Sequence, residues 1–123
     1  MSKILVIDDD PTIVAIYRNT FATHGFEVES AEDGAVGLQK LHLWKPDIVL
    51  LDINIPGMSG VEWLQTIRRE REFERFPVVV LTGGNTKANV MSAWTYGATC
   101  VMLKSRDQPH RVVDVVEAVL AHR

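Results

Sequence analysis

Apolar residues gather in five short runs along the chain, at positions 4–7, 28–31, 48–51, 78–81 and 100–103. Three of them are rich in Val and Ile and do not alternate with polar residues. That is the pattern of strands buried on both faces of a parallel sheet. The run at 28–31 is the least apolar. Between the runs the apolar positions change to helical spacing. Ile13, Ile16, Tyr17 and Phe21 mark a helix over 12–23, and Val36, Leu38, Leu41 and Leu43 mark one over 33–43, ahead of Trp44-Lys45-Pro46. Val61, Leu64 and Ile67 mark 59–70; Val90, Met91 and Trp94 mark 85–96; Val112, Val113, Val116 and Leu120 mark 109–121.

The boundaries carry chemistry that fits. Ser59 stands three residues before Glu62, the spacing of a capping box. Gly97 after Tyr96 is a helix stop. Asp107-Gln108-Pro109 opens the last helix with proline in its first turn. His24-Gly25 and Gly57 punctuate loops. The mixed-charge stretch 68–75 reads as a solvated helix end and loop. Five strand–helix repeats predict a doubly wound α/β domain over residues 1–123, with right-handed crossovers placing helices on both faces of the sheet.

Composition narrows the class. The 123 residues are 46% hydrophobic and 24% charged, enough chain to bury a core without a metal or disulfide staple. The single cysteine, Cys100, excludes an internal disulfide and a multi-cysteine metal site and reads as a small buried hydrophobe. No apolar run reaches the roughly 18 residues of a membrane span, and no signal pattern opens the chain, so the expectation is cytoplasmic with no membrane partner. A net charge of −3, from 16 acids and 13 bases, argues against direct nucleic-acid binding. That total conceals three consecutive acids, Asp8, Asp9 and Asp10.

Ligands of open α/β sheets bind beyond the carboxyl ends of the strands. The residues that end the apolar runs are Asp8-Asp9-Asp10, Asp52, Thr82-Gly83-Gly84 and Lys104-Ser105. Acids, a hydroxyl and an ammonium thus converge on one rim. Clustered carboxylates repel unless a cation joins them. Mg²⁺ suits such oxygens and typically links a carboxylate to phosphate oxygens. A carboxylate such as Asp52 can carry a phosphoryl group. Lys104 and the Thr82 hydroxyl then supply positive charge and a donor to its oxygens.

These residues carry a resemblance. Asp8-Asp9-Asp10-Pro11 after the first run, Asp52 with Pro56-Gly57-Met58 and Gly60, Val78 through Gly83, and Gly97-Ala98 through Lys104 resemble the receiver domain of two-component response regulators. The resemblance runs in order over essentially the whole chain. It implies a flavodoxin-like five-stranded parallel sheet of strand order 2-1-3-4-5. It implies Asp52 as phosphoacceptor, and Asp8, Asp9, Asp52 and the Asn54 backbone carbonyl around Mg²⁺ or Mn²⁺, with Asp9 the more direct ligand of the acidic pair. Thr82 matches the switch hydroxyl and Lys104 the phosphate-binding lysine. Asp10 takes the variable next position, a loop or helix-cap acid. The donor would be a phosphohistidine on a histidine kinase or histidine phosphotransfer protein, so His24, His42, His110 and His122 are surface or helix-end residues. The function implied is phosphorelay signalling to a downstream protein or output domain, with no dedicated enzyme activity beyond self-phosphorylation and slow autodephosphorylation.

Two positions depart from the family. Val101 stands where receivers usually carry Tyr or Phe, which puts the usual coupling to Thr82 in question. Ser105 stands where they usually carry a cis-proline; the roughly 2.5–4 kcal/mol cost of a non-proline cis bond predicts a trans Lys104–Ser105 bond. Val90, Trp94, Val101 and Leu103 fall by family position on the signalling face, with Trp94 partly exposed and a monomer or weak homodimer expected. Trp44 and Trp63 read as packing residues, and Met58, Met91 and Met102 need no cofactor. The chain's end soon after the fifth helix suggests a stand-alone regulator or a receiver from a longer protein. Two alternatives compete. One is a degenerate receiver that binds partners without phosphorylation. The other is a haloacid-dehalogenase-type phosphatase with Asp8 as nucleophile and Asp10 as acid/base, which leaves the Asp52 motif unexplained and lacks a late acidic pair.

Overall fold

A computed structural model describes residues 1–83, 87–104 and 108–122. The apolar runs become β1 (Lys3–Ile7), β2 (Glu27–Ala31), β3 (Ile48–Asp52), β4 (Val78–Thr82) and β5 (Cys100–Leu103). The helices are α1 (Pro11–Thr23), α2 (Gly34–Trp44), α3 (Gly60–Arg68), α4 (Lys87–Thr95) and α5 (Pro109–Ala121). All strands run parallel in the order β2-β1-β3-β4-β5. This is the doubly wound, flavodoxin-like sheet expected.

The non-alternating strands are buried on both faces because each face has its own core. Leu5, Ile7, Val49, Leu51, Val78 and Val80 meet Leu41, Trp63, Leu64 and Ile67 from α2 and α3. Ile4, Val6, Ile48, Leu50, Val79 and Leu81 meet Ile13, Tyr17, Phe21, Val112, Val113 and Val116 from α1 and α5. The predicted caps form. Ser59 accepts a hydrogen bond from the Glu62 amide, Pro109 sits in the first turn of α5, and Gly97 takes a left-handed φ of 95° after α4.

Several sequence expectations need correction, including Met91, which marked the apolar face of the fourth helix but is 67% exposed. Leu43 is 78% exposed and Val36 lies at the surface. The buried positions of α2 are Gly34, Gly37 and Leu41, because small residues let the helix approach Ile7 and Trp63 closely. Cys100 is partly exposed, since β5 is an edge strand. The third helix stops at Arg68, and a 3-10 turn over Arg71–Phe73 follows. That stretch is not simply solvated, because Phe73 is buried in the core and Arg68 is tied to two backbone carbonyls. The starts of the predicted 85–96 helix, the helix-opening Asp107, and the Lys104–Ser105 bond lie outside the described residues.

Candidate functional site

Parallel pairing puts the carboxyl ends of β1, β3, β4 and β5 side by side, and this alone gathers residues far apart in sequence. Asp8 leaves β1 with its amide bound to the Ala31 carbonyl at 3.0 Å, an extension of the β1–β2 ladder. Asp52 is the last residue of β3, and the Ile53 amide continues the pairing to the Leu81 carbonyl. Thr82 closes β4, and the Lys104 amide bonds its carbonyl at 2.9 Å. Asp8, Asp52 and Thr82 are buried polar residues, at 2%, 4% and 5% exposure. Asp9 faces solvent.

Carboxylate oxygens of Asp8, Asp9 and Asp52 lie within 4.8 Å of one another. The Lys104 ammonium inserts among them, 2.9 Å from Asp8 Oδ2 and 3.1 Å from Asp52 Oδ2. Each buried acid has one oxygen held by backbone. Asp8 Oδ1 accepts from the Asp10 amide and Asp52 Oδ1 from the Asn54 amide. Asp8 Oδ2 is different. It is buried and has Lys104 Nζ as a charged neighbour, but it accepts no directed hydrogen bond. A buried carboxylate oxygen with a free lone pair beside two further carboxylates is the donor set a hard divalent cation takes. The residues therefore fit the Mg²⁺ or Mn²⁺ that the sequence implied.

Electrostatics agree. Burial and the neighbouring Asp8 charge hold the Asp52 pKa above its ordinary value, and the contact with Lys104 only partly offsets them. Burial pulls Lys104 down, but the two carboxylates beside it outweigh that and raise its pKa. Lys104 is thus a firmly charged ammonium, and Asp52 a carboxylate whose ionisation is opposed by its surroundings.

Asp10 belongs elsewhere. Its carboxylate caps α1, accepting from the amides of Thr12 and Ile13. An oxygen committed to a helix cap is not placed for acid/base work, so the Asp8/Asp10 phosphatase arrangement has no support in the geometry.

Residues 4–117 match the response regulator receiver domain family. The chain belongs to that family. Protein PilH of Pseudomonas aeruginosa is 30% identical over 121 residues, covering 98% of this chain and 99% of PilH. The chemotaxis protein CheY4 of Vibrio cholerae superposes with a TM-score of 0.89 at 28% identity, over 97% of this chain and 98% of that one. The Mn(2+)-bound form of response regulator Rcp1 gives a TM-score of 0.83 at 25% identity, over 96% of this chain and 93% of that one. The receiver family is one of signal transduction and not of dedicated enzymes, which sets the phosphatase alternative aside. No helix among the described residues is long and apolar enough to cross a membrane.

The receiver's second group of sequence-selected residues lies beside the first. Val90, Val101 and Leu103 line a groove of about 700 Å³ that reaches Thr82 and also takes in Lys87, Met91 and Met102. Val90 and Val101 are half-buried, Val101 packing on the core, while Leu103 is 64% exposed. Trp94 is 50% exposed, as expected, but is not part of the groove lining.

Two residues with tertiary roles, Gly60 beside the end of β3 and Arg68 at the end of α3, are not singled out by the sequence pattern. Gly60 lies so close to the exit of β3 that a Cβ there would stand 2.7 Å from Ile53 Cα and 2.8 Å from the Asp52 carbonyl oxygen. Its place in the Pro56-Gly57-Met58 motif was the available signal. Arg68, read as part of a solvated charge run, had no signal at all, because its acceptors are carbonyls supplied by the tertiary fold.

Proposed function

We propose that the protein is a phosphorelay response regulator that takes a phosphoryl group onto Asp52 from a phosphohistidine of a histidine kinase or histidine phosphotransfer protein. The observation that carries this is the Lys104 ammonium bridging two buried carboxylates beside a third, exposed one. Attack by an Asp52 oxygen forms an O–P bond as the donor's N–P bond breaks, and the imidazole nitrogen keeps the electron pair. Receivers partner with histidine kinases, and the exposed edge at Asp9 leaves one side of the site open to such a donor.

Asp8, Asp9, Asp52 and the Asn54 carbonyl would hold Mg²⁺ or Mn²⁺. The Mn(2+)-bound relative supports the choice of metal. Bound there, the cation would neutralise charge on the transferring phosphoryl oxygens. Lys104 would then exchange its carboxylate contacts for a phosphoryl oxygen, and the Thr82 hydroxyl would donate to another. Gly83 adds no bulk, since even a Cβ there would lie 3.9 Å from the nearest Lys104 atom. Val90, Trp94, Val101 and Leu103 form the surface read by a downstream protein or output domain, with the chain a monomer or weak homodimer.

The test is incubation with Mg²⁺ and acetyl phosphate, followed by intact-mass measurement. The wild-type chain should gain one phosphoryl group, and Asp52→Asn none. No gain in the wild type, or an equal gain in the variant, overturns the assignment.

A further inference from the structure

Helix α4 flanks the groove beside β5. Of its nine residues only Ala93 is buried, while Met91 is 67% and Trp94 50% exposed. Its two ends are anchored very differently. At the C-terminal end, the Tyr96 and Gly97 amides bond the Ser92 and Trp94 carbonyls, and the Ala98 amide reaches the Ala93 carbonyl. The Thr99 amide and Oγ1 pair with the carbonyl and amide of Val78 at 2.9 and 3.0 Å. The Gly97 carbonyl accepts from both Nε and Nη2 of Arg68, at 3.2 and 2.6 Å. The third nitrogen of that guanidinium, Nη1, donates to the Phe73 carbonyl at 2.7 Å. The N-terminal end begins five residues beyond Thr82 and lies along the groove through Lys87, Val90 and Met91.

We propose that Arg68 is a positioning residue that pins the C-terminal turn of α4 to α3, making residues 96–99 the pivot about which the helix moves. The fork geometry matters: one planar cation holds two carbonyls from two separate segments, which a lysine's single nitrogen cannot reproduce. A rearrangement that starts at Thr82 is therefore taken up at residues 87–91, where packing is sparse, and dies out toward Gly97. The groove walls Val90 and Met91 move, and Trp94 stays. The link to phosphorylation rests on the function proposed above; the pin itself does not.

Amide hydrogen exchange of the metal-free protein tests the pin. In Arg68→Ala and in Arg68→Lys, the amides of residues 96–99 should exchange about tenfold faster or more, the scale of losing a charge-assisted hydrogen bond. Those of β1 and β3 should be unchanged. Uniform acceleration across the sheet would mean a general loss of stability and overturn the pin. So would full protection in Arg68→Lys, which would reduce the role to charge alone. Phosphorylation with acetyl phosphate and Mg²⁺ then tests the pivot. Wild-type amide shifts should be largest at 87–91 and smallest at 96–99, and Arg68→Lys should spread them through 96–99 while its mass gain matches wild type. A mass gain without that gradient overturns the pivot. Absence of a mass gain overturns the phosphoacceptor assignment instead, leaving the exchange result to decide the pin.

Discussion

At the scale of single residues, the buried Asp52 and the surface His42 each predict a titration. Asp52 has a raised pKa from burial and from Asp8. Its protonated form is favoured by folding, so its contribution to stability is present below the unfolded value near 3.8 and is lost as pH rises through the folded value. In metal-free buffer Asp52→Asn should therefore remove this loss of stability with rising pH, measured by urea denaturation at a series of pH values. His42 shows the opposite chemistry at the surface. Its Nδ1 and Nε2 lie 2.8 Å from the Leu38 carbonyl and from Glu70 Oε1. Only the imidazolium donates from both nitrogens, so the hydrogen bond to Glu70, then that to Leu38, raises its pKa above 6.5. The stabilisation is complete below pH 6.5 and is lost as pH rises through the folded value. NMR titration should show this raised value fall toward the ordinary one in Glu70→Ala. Trp63 is fully buried, and its Nε1 donates to the Gly34 carbonyl at 3.1 Å. Trp63→Phe leaves that carbonyl unpaired and opens a void, and should cost about 2 kcal/mol or more in urea denaturation.

Elements are positioned by close approaches as much as by apolar stripes. The N-terminus of α3 rests on the end of β3 through Gly60, whose amide donates to the Ile53 carbonyl at 2.8 Å. The neighbours a Cβ would strike are backbone atoms, which cannot rotate away. Gly60→Ala should therefore cost about 1–3 kcal/mol, the range for overpacking a tight contact. It should also shift the amide resonances of Asp52 and Ile53, because the strain falls on the strand end that carries the Asp52 carboxylate. A change of stability without those shifts would show that the strain is absorbed in α3. The same helix holds α4 at its far end through Arg68, so α3 orients both the acid at Asp52 and the exposed helix beside Thr82.

Across the whole molecule, the sheet gathers acids and the ammonium that partly compensates them, and a divalent cation should complete that compensation. Binding only to the folded state, Mg²⁺ at ten times its Kd should add about 1.4 kcal/mol of stability. Thermal melts should show the gain in wild type and its loss in Asp9→Asn, which removes the solvent-facing carboxylate while leaving the buried pair with Lys104 intact. Much of this was legible in the chain. Non-alternating Val and Ile runs specify strands covered on both faces, and helical spacing between them specifies crossovers, so strand–helix alternation and the rim of strand-end residues follow from local pattern alone. Asp10 as a loop or helix-cap acid and a partly exposed Trp94 came instead from the resemblance to receivers, and the structure shows Asp10 capping α1 and Trp94 at 50% exposure. Other features depended on which surfaces meet. Leu43 and Val36 project outward because Gly34 and Gly37 are the residues that face Ile7 and Trp63, and periodicity counts apolar side chains without seeing a glycine contact. Cys100 is open because β5 has a neighbour on one side only. Arg68 is structural because its acceptors, the Gly97 and Phe73 carbonyls, come from two other segments. Chain-local chemistry determined the elements and the residue types at the site; only the tertiary structure decided which oxygen of Asp8 was left without a directed partner and which end of α4 was held, because both depend on distances between segments that the sequence does not place side by side.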